Sequence, residues 1–294
     1  MNLAKLRTFI ASSDYRRGQY RRRLWPLLRP VLDTVPAIGI EHDGMLFFVH
    51  SEDVVITYSL LAKGEWQRAE VSKVLAILAG VMKKDGVFVN VGANVGTTLT
   101  YVMKSGLFAS ALAFEPEPRN ARLLKANIAV NSLPNCAVVE AAISNVPGTL
   151  AFELNPTNRG EHRVVQHGLS DGRREQIVVP ADTLDTFLSE RHVRPEDVAL
   201  LWIDTEGYES AVLEGATGLL KAGVPLVTEF APGDLMANGT LDSLLAAIGE
   251  GFPVYIDLAA STPDRACVSR LPALALSLQA TNERTDLLLL PSAS

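Results

Sequence analysis

The stretch 87-VFVNVGANVGTTLT-100 decides the fold, because a short apolar run leads directly into a glycine-containing turn and then into a helix-like segment. Gly92 and Gly96 permit a tight turn and a close approach of the backbone, and the next helix presents free N–H groups at its start. A strand, a glycine turn and a helix in this order are typical of a ligand loop. Taken alone, the pattern does not distinguish such a loop from other strand-to-helix turns.

The pattern of short apolar runs and helix-length amphipathic segments continues through the following residues. Further strands are predicted at 111–114, 137–140, 198–203 and 225–229, with helices near 96–104, 118–131, 182–190, 208–220 and 241–248. This alternation predicts an α/β fold with a doubly wound, mainly parallel sheet covered on both faces. Runs at 252–258 and 286–290 are expected to pair as an antiparallel edge.

Residues 1–83 carry a different pattern. Short strands are predicted there at 38–40, 45–49 and 54–57, and a helix at 65–78. We therefore expect residues 1–83 to form a basic arm with a small accessory region, and residues 84–294 to form the main domain. An insertion at 144–197 is too long for an ordinary connection and is expected to be functional. It contains predicted strands at 149–153 and 176–179 around a polar middle.

Composition bounds the class of protein. The 294-residue chain is 48% hydrophobic and 20% charged, the profile of a soluble globular enzyme. Its net charge of -6 conceals a basic segment, residues 1–35, in which Lys and Arg clearly outnumber Asp. The acidic remainder argues against nucleic acid as a partner. We expect the basic arm to pack on the acidic body, and peripheral contact with an anionic membrane is the alternative.

Cysteine content and hydropathy indicate the compartment. Cys136 and Cys267 are the only cysteines, too few for a disulfide framework or a zinc knuckle. No run reaches the ~18 apolar residues of a membrane-spanning helix, and the N-terminus lacks the features of a secretory signal. These observations predict a cytoplasmic protein, and they indicate nothing about its oligomeric state.

Residues at the carboxyl ends of the predicted strands carry the site prediction, because ligands of open parallel sheets bind there. The second strand ends at Glu115-Pro116, 25 residues after Asn90, where an acid can accept hydrogen bonds from two ribose hydroxyls. A glycine turn followed by such an acid is the adenosine-binding pattern of nicotinamide and S-adenosylmethionine enzymes. The third strand ends in small residues around Ala142, which suit either a flat base or ordinary turn packing.

Two acids, Asp204 and Glu206, follow the fourth strand. They could balance a sulfonium cation, orient its amino group or take a proton from an acceptor hydroxyl. Asp204 is the favoured base, with Glu229 and His162 as weaker candidates. Both His162 and His167 are more readily placed on a solvated loop. For Glu206, capping of the next helix is the structural alternative.

Three ordered segments resemble the FkbM-type methyltransferases. They are 90-NVGANVG-96, 113-AFEP-116 and 202-WIDTEG-207, similar to the family's Asp-Val-Gly-Ala-Asn-Ile-Gly, Ala-Phe-Glu-Pro and Lys-Ile-Asp-Val-Glu-Gly. The resemblance covers roughly residues 85–232, about half the chain. It implies a Rossmann-like class I methyltransferase fold and methyl transfer from S-adenosylmethionine, usually to a hydroxyl oxygen of a sugar or other natural product.

The resemblance also implies which residues hold the cofactor. The glycine loop would bracket the methionine part, Glu115 would bind the ribose and Asp204 would lie at the reacting end. Asn90 stands where the family usually has Asp, so it can accept a hydrogen bond from the cofactor's amino group but supplies no charge. The expected cofactor contacts are Asn90, Gly92, Asn94, Gly96, Thr97, Glu115, Pro116, Ala142 and Asp204.

Three classes of function stay open: a methyltransferase acting on a small-molecule or glycan acceptor, a nicotinamide-dependent oxidoreductase, and a non-catalytic cofactor-binding module. The oxidoreductase hypothesis lacks the third glycine of Gly-x-Gly-x-x-Gly and a Tyr-x-x-x-Lys pair. The binding-module hypothesis rests on Asn90, whereas Glu115 and Asp204 favour an enzyme. Asp204 with Glu206 and Glu229 could also hold a divalent cation, although the spacing of these residues in the sequence does not require one.

Overall fold

The computed structural model describes residues 27–32, 34–80, 83, 85–165 and 174–292. The strands in these ranges are β1 (Ala37–His42), β2 (Met45–His50), β3 (Val87–Val91), β4 (Ser110–Phe114), β5 (Cys136–Val139), β6 (Ala142–Ile143), β7 (Gly148–Glu153), β8 (Arg163–Val164), β9 (Gln176–Asp182), β10 (Val198–Ile203), β11 (Leu226–Phe230), β12 (Val254–Asp257), β13 (Arg265–Cys267) and β14 (Thr285–Leu290). The main helices are α1 (Ile56–Lys63), α2 (Arg68–Leu78), α3 (Thr97–Lys104), α4 (Pro118–Val130), α5 (Leu184–Glu190), α6 (Glu209–Glu214), α7 (Thr217–Lys221), α8 (Pro232–Ala237), α9 (Leu241–Gly251) and α10 (Leu271–Thr281).

An eight-stranded sheet forms the centre of the molecule, in the order β13-β12-β14-β11-β10-β3-β4-β5. Pairing is parallel from β11 through β10, β3 and β4 to β5, whereas β14 runs antiparallel to both β11 and β12. The chain moves outward from β3 to β5 and then returns to β10 on the other side of β3. The predicted doubly wound, mainly parallel α/β sheet with an antiparallel edge is thus confirmed.

Both faces of this sheet are covered, and the burial of β10 illustrates this. All six of its residues are buried, as expected for a parallel strand between two helical layers. Leu200 and Trp202 point into one hydrophobic cluster, and Leu201 and Ile203 point into the other. The period of two along the strand therefore supplies both cores at once.

The accessory region packs directly on the main domain. The β1–β2 hairpin meets helix α4, where Asn127 and Asn131 bond to the backbone of Phe48 and Leu46 through both N–H and C=O groups. These side chains thereby satisfy an edge of β2 that would otherwise be left unpaired. Phe47, also on β2, is fully buried in the same cluster as residues of α3 and α4.

The structure corrects the prediction of a strand at 54–57. Helix α1 begins there instead, because Asp53 Oδ1 accepts the N–H groups of Val55, Ile56 and Thr57 at 2.9, 2.6 and 3.2 Å. An acidic side chain in this position stabilises the free amides of a helix start. The β-branched residues that suggested a strand lie at this start.

Two further segments differ from their predictions. The helix expected over 208–220 is divided into α6 and α7 at Gly215, where a Cβ would lie 2.1 Å from the Ser144 backbone oxygen. Strand β13 and helix α10, which no pattern predicted, occupy much of 259–281.

Three strands of the insertion, β7, β8 and β9, form a four-stranded sheet with β6 in the order β6-β9-β7-β8, which confirms the strands predicted at 149–153 and 176–179. His167 and most of the basic arm, residues 1–26, lie outside the described residues, so the packing of the arm stays a prediction. Within the described part of the chain, no helix combines the length and the apolar character that a membrane span needs.

Candidate functional site

Two adjoining cavities open where the parallel strands end. The larger, about 570 Å³, lies beyond β3, β10 and β11. The smaller, about 50 Å³, extends toward the ends of β4 and β6. Residues that line both are Gly92, Asn94, Gly160, Asp204 and Glu206.

Most of the predicted cofactor residues meet at these cavities. The larger is lined by Asn90, Gly92, Asn94, Thr97 and Asp204, and the smaller by Glu115, Pro116 and Ala142 as well. Of the two weaker base candidates, Glu229 lines the larger cavity and His162 the smaller. Gly96 lines neither, and it precedes helix α3 with a positive φ of 85°.

The glycine loop is shaped by close backbone contacts. Gly92 has a φ of +78°, and a Cβ at this position would lie 1.8 Å from the Asp204 backbone oxygen. The amides of Gly92 and Ala93 both donate to the Phe114 carbonyl oxygen at 3.0 Å. Only glycine permits this approach, so the loop is held between the ends of β4 and β10.

Asn90 presents a hydrogen-bond acceptor that the protein leaves unused. Its side chain is 1% exposed and lines the larger cavity. Its Oδ1 has no hydrogen-bond partner within the described residues. A buried acceptor left unmet costs about 1–3 kcal/mol, so this oxygen is suited to a ligand donor such as an amino group.

Glu115 ends β4 with a buried carboxyl group. Its oxygens accept the N–H groups of Asn94 at 2.8 Å and Glu117 at 2.9 Å. Burial raises the pKa of Glu115 to about 7, against the lowering effect of these bonds. Each carboxylate oxygen accepts more than one hydrogen bond, so Glu115 can still receive hydroxyl donors from the smaller cavity.

Asp204 is held by a residue from the accessory region. Gln67 Nε2 donates to Asp204 Oδ2 at 3.1 Å, and Gln67 Oε1 accepts from Thr98 Oγ1 at 2.8 Å. Burial raises the pKa of Asp204 above its ordinary value. Sequence patterns did not identify Gln67, because it lies before helix α2 without a motif.

An acidic cluster surrounds this contact. Oxygens of Asp204, Glu206 and Glu229 lie within 4.8 Å of one another. Burial, followed by repulsion from Asp204, raises the pKa values of Glu206 and Glu229. Arg284 donates to Glu206 at 3.1 Å and to Glu229 at 3.0 Å. Arg284 precedes β14 in a segment without a readable pattern, and its role was missed.

Among the described residues, no side chain caps the start of helix α6, so Glu206 does not have the suggested capping role, and the loop before this helix is instead held by Glu209. Its buried carboxylate accepts the amides of Thr205 at 3.0 Å and Gly207 at 3.1 Å. Glu206 instead faces the cavity with a left-handed backbone, at a φ of 53°. Glu209 therefore braces the loop that presents Asp204 and Glu206.

His162 is not on a solvated loop, since only 8% of it is exposed. Its Nδ1 accepts the N–H of Asn155 at 3.0 Å. Burial, with the nearby Arg159, lowers its pKa to about 3, so the ring is neutral and its proton resides on Nε2. No lone pair remains to accept a substrate proton, and this geometry contradicts the role of a general base.

The insertion reaches the glycine loop through the backbone of Arg159. Its carbonyl oxygen accepts from Asn94 Nδ2 at 3.1 Å and Asn120 Nδ2 at 3.2 Å. Its amide donates to Asp53 Oδ2 at 2.7 Å, and its guanidinium pairs with Glu52. The insertion and the accessory region thus meet over the glycine loop, a contact that no local pattern could indicate.

The strand order, the glycine loop and Glu115 define a Rossmann-like class I methyltransferase fold. Within that class, the chain belongs to the FkbM methyltransferase family, because the model of the methyltransferase FkbM domain matches residues 90–246. The predicted resemblance is confirmed.

The individual proteins that the chain resembles share only a low sequence identity with it. The 2-O-methyltransferase NoeI of Sinorhizobium fredii is 27% identical over 174 residues, which cover 54% of this chain and 69% of that protein. The FkbM methyltransferase of Methylobacillus flagellatus superposes with a TM-score of 0.45 at 14% identity, over 94% of this chain and 61% of that one. TYW2 of M. jannaschii in complex with AdoMet gives a TM-score of 0.43 at 12% identity, over 86% and 85%.

Proposed function

We propose that the protein transfers a methyl group from S-adenosylmethionine to a hydroxyl oxygen of a sugar, glycan or other natural product. The observation that carries this proposal is the placement of Asn90, Glu115 and Asp204 around two adjoining cavities. Each presents an oxygen acceptor at the end of a different parallel strand. Membership of the FkbM methyltransferase family supports the reaction class.

The residues present fit this cofactor. The unpartnered Oδ1 of Asn90 matches the donor of an amino group, and Glu115 matches the paired hydroxyls of a ribose. Ala142, at the edge of the smaller cavity, leaves room for a flat base. When bound, S-adenosylmethionine would supply an electrophilic methyl group on a sulfonium.

Asp204 is the group best placed to serve the acceptor hydroxyl. Its raised pKa lets it take a proton more readily than an ordinary Asp, and Gln67 fixes its orientation. Alignment of an acceptor oxygen with a methyl group and its sulfur can itself supply much of the rate. The likeness to a 2-O-methyltransferase supports oxygen as the acceptor atom.

Calorimetric titration with S-adenosylhomocysteine and with NAD tests the cofactor. We expect the first to bind and the second not to bind. Absence of S-adenosylhomocysteine binding contradicts the proposal, and binding of NAD alone favours an oxidoreductase.

The acceptor is identified by incubating cell extract with the protein and isotopically labelled S-adenosylmethionine. A labelled product heavier by one methylene supports methyl transfer, and its fragmentation locates the methylated oxygen. A product methylated on nitrogen or carbon contradicts O-methylation.

A further inference from the structure

The larger cavity is lined by many more acidic than basic residues. Its basic lining residues are Lys63 and Arg284. Its acidic lining residues are Glu65, Glu70, Glu161, Asp204, Glu206, Glu229 and Asp286. S-adenosylmethionine has a sulfonium and an ammonium against one carboxylate, so it offsets only a small part of this excess.

Glu229 presents an oxygen that Arg284 does not engage. It is only 7% exposed, and its Oε1 receives the hydrogen bond from Arg284. Its Oε2 is buried and has no partner in the part of the chain that the structure describes. A buried carboxyl oxygen without a hydrogen-bond partner is unfavourable, and its position in the cavity lining makes it available to a ligand.

Arg284 shows that the acidic cluster binds a nitrogen cation. Its guanidinium, 47% exposed, contacts Glu206 and Glu229 through N–H donors. Asp286, also in the cavity lining, has a pKa raised to about 8 by burial and by repulsion from Asp204. A second nitrogen cation would relieve this repulsion and satisfy Glu229 Oε2.

We propose that the methyl acceptor is a hydroxyl compound that also carries a protonated amine, such as an amino sugar or aminocyclitol, and that this ammonium binds Glu229 Oε2. The proposal rests on the proposed function and names its substrate class. An ammonium nitrogen has no lone pair, so it anchors the acceptor while a hydroxyl oxygen is the nucleophile. The new O–C bond forms as the S–C bond breaks, and the hydroxyl proton passes to Asp204 or water.

A divalent metal ion is the competing source of positive charge. Three carboxylates lie close enough together to be considered as its ligands. Arg284, however, already donates to two of them, and its fixed positive charge would repel a metal ion. The geometry therefore favours an ammonium, which adds hydrogen-bond donors to the cluster.

Probe pairs in which the ammonium is replaced by a neutral acetamide test this proposal. The full chain is loaded with S-adenosylhomocysteine, and the dissociation constants of glucosamine and N-acetylglucosamine are measured by NMR at low salt. The same is done with 2-deoxystreptamine and its N,N′-diacetyl derivative. We expect each amine to bind about tenfold more tightly than its acetylated form, the scale of one hydrogen bond to a charged group. Equal binding, weaker binding of the amines, or no binding of either overturns the proposal.

Variants locate the contact. Glu229→Gln and, separately, Asp286→Asn should reduce the preference for the amine severalfold. Glu250→Gln, which removes the same charge from an exposed position on α9, should leave it unchanged. A preference that survives both cavity variants contradicts the placement of the ammonium. A preference that appears only with added MgCl₂ and disappears with EDTA assigns the cluster to a metal ion instead.

The two proposals fail in different ways. If S-adenosylhomocysteine does not bind, the proposed function is wrong. If it binds and the amines bind no more tightly than their acetylated forms, the proposed methyl transfer is unaffected and only the cationic acceptor is contradicted.

Discussion

Gln67 Nε2 lies 3.1 Å from Asp204 Oδ2, and this hydrogen bond joins the accessory region to the end of the central strand β10. Gln67 adopts a left-handed backbone, with a φ of 60°, a conformation that costs a non-glycine residue about 1 kcal/mol or more. Its second hydrogen bond, from Thr98, holds the amide in place. The contact makes the accessory region part of the site.

Loss of the Gln67 side chain should impair turnover more than cofactor binding, because Asp204 would lose the donor that orients it. We expect Gln67→Ala to lower kcat about tenfold, the effect of one charge-assisted hydrogen bond, with a smaller change in the dissociation constant of S-adenosylhomocysteine. Gln67→Gly should reduce kcat by the same factor while it relieves the backbone strain. Gln279→Ala, on the exposed face of α10, is the control. An unchanged kcat in both Gln67 variants would contradict the positioning role.

Asn90→Asp should preserve or tighten binding of S-adenosylmethionine, because a carboxylate strengthens the bond to its amino group. The gain is expected to be at most about tenfold, since burial also opposes the charge. Asn90→Leu has a similar volume but no acceptor and should bind more weakly by a similar factor. Calorimetry measures both. A large loss of affinity in Asn90→Asp would mean that Asn90 does not face the amino group.

His162 should donate from Nε2 to the adenosine half of the cofactor, because this buried atom has no partner among the described residues and its ring lines the smaller cavity. His162→Phe is expected to weaken S-adenosylhomocysteine binding about threefold to tenfold, the loss of one neutral hydrogen bond. The exposed His192→Gln is the control. Unaltered affinity in His162→Phe would remove His162 from the cofactor site.

The pKa of His162 also predicts how stability depends on pH. It is lowered to about 3 in the folded protein, so the unfolded chain binds the proton more readily below pH 6.5. The free energy of unfolding should therefore fall as the pH drops from 6.5 toward 3. His162→Phe should make this dependence shallower in urea titrations, and an identical slope would contradict the neutral ring.

Glu115 should make cofactor binding depend on pH near neutrality. Its pKa is raised to about 7, and the ionised form accepts more hydrogen bonds from a ribose than the protonated form. The affinity for S-adenosylhomocysteine should therefore rise severalfold between pH 6 and pH 8, with proton release that calorimetry detects in buffers of different ionisation enthalpy. Glu115→Gln should weaken binding and abolish the rise. A rise that persists in this variant would assign it to another group.

Gly92→Ala should destabilise the protein and prevent cofactor binding. The new Cβ would lie 1.8 Å from the Asp204 backbone oxygen, so β3 and β10 would have to separate. Gly106→Ala is a matched control, since Gly106 has a similar φ of +71° but no atom within 4 Å of the added Cβ. We expect Gly106→Ala to cost about 1–2 kcal/mol from the backbone alone, and Gly92→Ala to lower the melting temperature clearly further. Equal melting temperatures would contradict the contact.

Local patterns predicted the central sheet and the candidate-site residues that follow its strands. The strand-turn-helix at 87–100, Glu115 and Asp204 could be found because each follows a buried strand. Parallel strands place their carboxyl ends at one edge of the sheet whatever the loops between them do. At 54–57 the local composition favours a strand, but the three hydrogen bonds that Asp53 Oδ1 accepts outweigh β-branched propensity.

The sequence by itself determined the fold class, the family and the position of the glycine loop, because these depend on periodicity and on short motifs. The tertiary structure alone decided that Gln67 holds Asp204, that Arg284 joins Glu206 to Glu229, and that His162 is buried without a free lone pair. Each of these contacts joins segments that no periodic pattern relates. They form only when the accessory region, the insertion and the last strand pack over the ends of the sheet, and burial then changes the charges that the site can carry.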